Sequence, residues 1–390
     1  AIGPIALIAL PGTEAFANKV NAHLVQRRQE DLASNSHLEE QRGYFRKNYI
    51  IDCQIQRSGT GEGKAFIHQT VRGHDVFILI DVLNYSVSYP YYGMMKPVTP
   101  DEHYQNLRSA ISAVSGKAKR INVIMPYLYE GRQHKRNMRE SLDCAYMLEE
   151  LGNLGVENII TFDAHDPRVS NAIPLKGFET IQSAYQMFKA IFRELGRNPR
   201  EKTDLMVVSP DEGGIDRAMY YAAMLGCPLG TFYKRRDYTV LQDGKNPIVA
   251  HQSLGKSPKG MDVIIVDDMI SSGSSMLDIA HELKARDAQR IYCISTFGLF
   301  TAGLEPFNEA YEKGYIDKIF CTNLIYRTPE LLAAPWYVDV DMSKFVGLLI
   351  DSINMDRSLS PLVTPTKKIQ SILKEHGIKG EQLPDPMTEA

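Results

Sequence analysis

Residues 263 to 275 read Val-Ile-Ile-Val-Asp-Asp-Met-Ile-Ser-Ser-Gly-Ser-Ser, an apolar run that meets two adjacent carboxylates and then a small polar loop ahead of a helical pattern near Met276. Carboxylates at the carboxyl end of a strand accept hydrogen bonds from neighbouring hydroxyls, so Asp267 and Asp268 suit a sugar diol. The loop Ser271, Ser272, Gly273, Ser274 and Ser275 offers backbone N–H groups and hydroxyls at a helix N-terminus. There the unpaired donors and the helix dipole favour a phosphate. The blander reading is a buried parallel strand, a serine-rich cap and two solvated acids. The full order of strand, acid pair, Ser/Gly loop and helix favours a sugar phosphate.

Three further segments carry groups that could do chemistry. His165 follows a strand in Thr-Phe-Asp-Ala-His-Asp-Pro. A lone His at a strand end is more often a hydrogen-bonded structural residue than a ligand. Asp211 ends a second strand in Val-Val-Ser-Pro-Asp-Glu-Gly-Gly, where its alternative role is a helix cap. Lys234, Arg235 and Arg236 leave a third strand as consecutive cations, ordinarily a solvated loop and here a candidate phosphate clamp. On an extended segment Lys234 and Arg236 share a side and Arg235 takes the other. The run Gly59-Thr60-Gly61-Glu62-Gly63-Lys64 looks like a nucleotide loop, but Ser58 and Ala65 break the Walker A spacing. It is a turn, and Glu62 is its one chemically interesting member.

Positioning these groups requires strands that end at a common edge. Apolar strand candidates fall at 4–10, 75–82, 121–126, 157–163, 205–209, 262–267, 291–296 and 318–325. Amphipathic helical patterns lie between them, such as 137–152, with Met138, Leu142, Ala145, Leu148 and Leu151 on one face, and 275–286. This alternation predicts an α/β protein with mainly parallel sheets flanked by helices, and ligands at the carboxyl ends of the strands. Each half of the chain carries its own set. A boundary is expected near 178, with a fresh helix around Ile181, and the polar, poorly periodic stretch 27–58 reads as an excursion from the first domain.

A chain of 390 residues is too long for one ordinary core, and 44% hydrophobic with 23% charged residues is globular composition. A net charge of −3 gives no electrostatic case for nucleic acid or an anionic membrane. No apolar run reaches the length of a membrane span. The five cysteines are odd in number, widely spaced and mostly in apolar segments, as expected of reduced core residues in a cytoplasmic protein.

The loop at 263–275 resembles the phosphoribosyl pyrophosphate loop of type I phosphoribosyltransferases, with Ser271 where that pattern has a third Asp. Other segments extend the likeness over most of the chain. They are Val71-Arg72-Gly73-His74-Asp75-Val76-Phe77, Pro126-Tyr127 with Arg132-Gln133, Asp163-Ala164-His165, Ser209-Pro210-Asp211 with Gly213-Gly214, Lys234-Arg235-Arg236, and Ser358 to Val363. In order and spacing they resemble the ribose-phosphate pyrophosphokinase family. The resemblance implies two similar phosphoribosyltransferase-like domains, 1–178 and 179–343, a helix at 344–363 returning to the first, a tail at 364–390, and homo-oligomers built from dimers, up to hexamers.

It also implies roles. His165 and Asp211 match the positions that help hold catalytic Mg2+, and Glu62, Arg132 and Gln133 match ATP contacts. Lys234 and Arg236 match a catalytic loop, with His165 counted beside them, and Asp267 to Ser275 match the ribose 5-phosphate site. Ser58, Thr60 and His134 stand where the family usually has an aromatic residue, Asp and Asp. The implied reaction moves the diphosphoryl group of MgATP to the C1 hydroxyl of ribose 5-phosphate, giving phosphoribosyl pyrophosphate and AMP. Two alternatives remain: a phosphoribosyltransferase that consumes phosphoribosyl pyrophosphate, and a catalytically silent regulatory subunit, which would be expected to lose the cations and metal residues this chain keeps.

Overall fold

Runs such as Ile5–Ala9 and Asp75–Leu79 are buried along almost their whole length, as strands covered on both faces must be. A computed structural model describes residues 1–196, 204–236, 239–240 and 248–377, without the side chains of 233–236 and 248–254. The chain divides into two units. The first comprises Ala1–Gln182, Asn323–Tyr326 and Asp341–Thr364; the second comprises Ser183–Thr322, Arg327–Val340 and the remainder from Pro365.

The first unit begins with β1 (Ile5–Ala9), α1 (Glu14–Ser34), β2 (Cys53–Arg57), β3 (Gly63–Ile67) and β4 (Asp75–Leu79). It continues through β5 (Ser88–Tyr91), β6 (Met94–Pro97), α2 (Pro100–Val114), β7 (Arg120–Ile124), α3 (Asp143–Asn153), β8 (Val156–Phe162) and β9 (Gly177–Ile181). Strands order as β1-β4-β7-β8-β9, all parallel, while β2–β3 and β5–β6 are separate antiparallel hairpins. The core beneath the sheet includes Ile8, Ile78, Val123, Leu107 and Leu148.

The second unit contains α4 (Ala184–Leu195), β10 (Leu205–Ser209), α5 (Ile215–Leu225), β11 (Leu229–Arg236), β12 (Ile248–Leu254), β13 (Asp262–Ile270), α6 (Ser274–Ala285) and β14 (Ile291–Gly298). After these come α7 (Glu305–Glu312), β15 (Lys318–Thr322), α8 (Pro329–Ala333) and β16 (Tyr337–Val340). Its sheet runs β12-β11-β10-β13-β14-β15-β16, parallel except for the antiparallel pair β11–β12. The chain then supplies α9 (Ser343–Asn354) and α10 (Ser360–Val363) to the first unit and α11 (Thr366–Glu375) to the second. No helix of the described residues is long and apolar enough to cross a membrane.

Several sequence expectations change. Residues 27–34 are not part of an excursion but the last turns of α1, and Arg28 is fully buried. Its guanidinium donates to Asp351 Oδ1 at 2.9 Å, to the Tyr44 carbonyl at 2.8 Å and to Asn354 Oδ1 at 2.7 Å, so a polar residue occupies a core position on α1. The pairing holds α9 against α1. The helix predicted from 137 starts at Asp143, and Met138, assigned to its apolar face, is 95% exposed with φ +58°. The helix expected around Ile181 starts at Ala184, because Gly177–Ile181 adds a fifth strand beside β8. Residues 378–390 of the expected tail lie outside the described residues.

Candidate active site

In the second unit, β13 does not stop at the acid pair. It pairs with β14 from Val263 through Ile270, Asp267 opposite Ser295 and Met269 opposite Phe297, so both carboxylates lie inside the strand near its carboxyl end. Asp267 is half-buried, whereas Asp268 is only 5% exposed. The Asp268 N–H donates to Asp267 Oδ1 at 2.8 Å, and the Met269 N–H donates to Asp268 Oδ1 at 2.8 Å. Burial foremost, then the Asp268 charge and hydrogen bond, and finally the Asp211 charge, push the Asp267 carboxyl well above the usual carboxylate range. Three acids therefore influence one another here, an arrangement that gains from a bound hydroxyl donor or cation.

Ser271, Ser272 and Gly273 connect β13 to α6, which starts at Ser274, two residues earlier than the apolar pattern suggested. Gly273 has φ +82°, and a Cβ there would fall 2.1 Å from Phe307 Cζ, so glycine alone fits. The hydroxyls line this turn: Ser272 Oγ lies 3.2 Å from Ser274 Oγ, and Ser271 Oγ lies 3.5 Å from Thr301 Oγ1. Ser275 follows in the first turn of α6, whose N–H groups have no intrahelical acceptors.

Asp211 leaves β10 and does act as a cap: its Oδ1 accepts from the Gly214 N–H at 3.0 Å. The Ser209 hydroxyl donates to the Asp211 carbonyl at 2.6 Å and braces the turn. Capping occupies one carboxylate oxygen and is compatible with a second role for the other. Lys234 and Arg236 belong to β11, opposite His251 and Ile248 of β12, and their side chains lie outside the described residues.

In the first unit, His165 follows β8 and is exposed. Asp163, just before it, is 3% exposed with φ +43°, a costly conformation for a non-glycine residue. The Asp163 N–H donates to the Ile181 carbonyl at 2.9 Å and the Ala164 N–H to Thr180 Oγ1 at 2.9 Å, so β9 fixes this turn. The His165 ring lies 5.4 Å from that of His134, whose Nε2 is 3.5 Å from Asp166 Oδ2. Hydrogen bonds from Arg168 hold the Asp166 carboxyl down at about 2. Arg132 and Gln133 lie in the same segment as His134; the Gln133 side chain donates to the Ser141 carbonyl at 3.0 Å. Glu62 is exposed on the turn between β2 and β3, with Thr60 Oγ1 donating to its Oε2 at 3.2 Å.

His165 and Asp211 stand at strand ends of different units, and among the described residues no group of three or more His, Cys, Asp or Glu side chains could hold a metal. Carboxylate oxygen and water suit Mg2+, so the Asp211 oxygen not used in its cap fits a partial Mg2+ shell. The sequence reading missed the hairpin β5–β6, which bonds to the Glu62 turn through the Tyr92 N–H and Gly59 carbonyl at 2.9 Å. The Tyr-Gly at its tip is a weak version of the usual Asn-Gly hairpin signal.

Residues 5–155 match the N-terminal domain of ribose phosphate pyrophosphokinase, and residues 176–319 match the phosphoribosyl transferase domain. The ribose-phosphate pyrophosphokinase of Bacillus cereus is 27% identical over 333 residues, covering 85% of this chain and 95% of its own. That of Mycoplasma pneumoniae is 28% identical over 317 residues, covering 80% and 88%. The crystal structure of phosphoribosylpyrophosphate synthetase from Mycobacterium smegmatis shares the fold, with a TM-score of 0.69 at 18% identity over 90% of this chain and 99% of that one.

Proposed function

Since this chain belongs to the ribose-phosphate pyrophosphokinase family of enzymes, we propose that it transfers the β,γ-diphosphoryl group of ATP to the C1 hydroxyl of ribose 5-phosphate, releasing AMP. The observation that carries this reading is the union of the Asp267–Asp268 pair with a glycine-restricted serine loop at the start of a 12-residue helix. The acids accept from the ribose hydroxyls, and the serines and first-turn N–H groups take the 5-phosphate. That holds the acceptor by both ends and leaves the C1 hydroxyl oxygen free to attack the β-phosphorus as the bond to AMP breaks.

Displacement at the β-phosphorus demands alignment and places negative charge on the transferring oxygens and the departing AMP. Lys234 and Arg236 neutralise that charge, while Arg132, Gln133 and Glu62 orient the nucleotide. His165 and Asp211 are the residues that would each offer a ligand to Mg2+, which when bound would supply charge neutralisation and orientation of the triphosphate. Ser271, in place of an acid, removes a carboxylate from the loop and speaks against transfer to a nitrogenous base. Incubation of the purified protein with ribose 5-phosphate and MgATP, with chelator controls, tests the reading. AMP and phosphoribosyl pyrophosphate should appear in equal amounts and only with metal; no AMP, or base-dependent consumption of phosphoribosyl pyrophosphate without ATP, would reject it.

A further inference from the structure

The tip of hairpin β5–β6 holds a conformational outlier. Tyr92 has φ +46° and Gly93 φ +77°, two successive left-handed residues joining the strands. Such turns ordinarily carry Asn, Asp or Gly first, because a Cβ in this region is strained. Tyrosine occupies the position while remaining 70% exposed, so little burial offsets the strain.

What the strain achieves is placement. The Tyr92 N–H donates to the Gly59 carbonyl at 2.9 Å, which seats the tip on the turn carrying Glu62. A Cβ on Gly61 would meet Tyr91 Cδ2 at 3.4 Å, so the neighbouring ring packs on the same turn. Tyr91 and Tyr92 meet edge to face at 5.0 Å, which orients the exposed phenol. On the turn itself Ser58 Oγ is 2.7 Å from Thr60 Oγ1, which donates onward to Glu62, and all three residues are exposed. An accessible aromatic face beside an accessible carboxylate and two hydroxyls is the chemistry of nucleoside recognition: the ring stacks on a base, and the oxygens pair with amine or ribose donors.

We propose that Tyr92 stacks on the base of the nucleotide donor and is a specificity-determining residue of the ATP site. This rests on the reading of Glu62 as a nucleotide contact. The Tyr92 backbone bonds to Gly59, next to Ser58, whose side chain is too small to stack, so the hairpin supplies the aromatic surface the turn lacks.

Tyr92→Asn and Tyr92→Phe test it by calorimetric titration with ATP and, separately, with ribose 5-phosphate, alongside thermal unfolding. Asn tolerates positive φ, so Tyr92→Asn should keep or raise the melting temperature while weakening ATP binding about ten-fold. Tyr92→Phe should stay within about two-fold of the parent, and ribose 5-phosphate affinity should not move in either variant. An unchanged ATP affinity in Tyr92→Asn, or equal losses for both ligands, overturns the proposal. If the parent binds ATP and Tyr92→Asn does not, yet no AMP is formed from ribose 5-phosphate, the stacking role stands and the diphosphokinase reading falls. A parent that fails to bind ATP rejects both.

Discussion

The backbone N–H of Asp268 donates to the carboxylate of Asp267 at 2.8 Å, so the strand's own backbone orients the first acid of the pair. Asp268→Asn should weaken ribose 5-phosphate by about 1.5–3 kcal/mol for one charge-assisted hydrogen bond, and Asp267→Asn, whose carboxyl is pushed up, by about 0.5–1.5 kcal/mol. Calorimetry with ribose 5-phosphate measures this; parental affinity in both variants would remove the pair from the sugar site.

Lys234→Ala and Arg236→Ala should lower kcat strongly, each by about 3 kcal/mol of activation free energy, with KM values within a few-fold. Arg235→Ala should be much milder, given the alternation of an extended segment. Steady-state kinetics separate the three, and near-parental kcat in all would make this run a solvated surface.

His165 is exposed, so His165→Ala should cost less than about 0.5 kcal/mol of stability. If it meets the metal, the variant should need several-fold more Mg2+ for half-maximal rate. A large drop in melting temperature with an unaltered Mg2+ requirement would assign this His a structural role instead.

Glu102 ties the hairpin strand β6 to α2. Burial alone would raise its carboxyl, but hydrogen bonds from Lys96, Tyr89 and Thr99 outweigh burial and lower it from 4.5 to about 2. An acid with a depressed folded-state value stabilises above its unfolded value and loses that contribution as pH falls. Stability should thus decline between about pH 4.5 and 2, and Glu102→Gln should flatten that limb of a melting temperature profile. An identical acid limb in the variant would show that other carboxylates control it.

Asp351 is fully buried and meets Arg28 Nε at 2.9 Å and Arg27 Nε at 2.8 Å. Asp351→Ala leaves the Arg28 charge without its partner in the core and should cost about 3–5 kcal/mol. Replacing Arg28 and Asp351 together with apolar residues should recover much of the loss. Chemical denaturation of the single and double variants decides it.

Strands buried on both faces were legible because they leave continuous apolar runs, as at Val263–Val266 and Ile291–Ile294. The serine loop was equally plain, since its residue types and their order carry its chemistry. Arg28 was not: its partner lies 323 residues away, and an arginine reads as surface until that partner is known. The strand ending at Ile181 was mistaken for a helix start because a short half-buried edge strand has little periodicity of its own. Asp267 and Asp268 were marked as chemically apt from their residue types, but their position inside β13 depends on the register with β14, which no local signal reports.

The interrupted course of the first unit bears on how the protein is made. The Asn354 side chain donates to the Gly3 carbonyl at 2.8 Å and to Asp75 Oδ2 at 3.0 Å, and Asp351 neutralises Arg28, so Gly3, Arg28 and Asp75 complete their core with α9. A ribosome delivering the chain from its amino terminus must release Ser183–Thr322 and Arg327–Val340 of the second unit before α9 emerges. Until then the first unit holds a guanidinium with no carboxylate to meet it, and its sheet is a provisional structure. The second unit has its whole sheet by Val340 and awaits only α11, so that later-made sheet is positioned to settle before the core of the first unit closes.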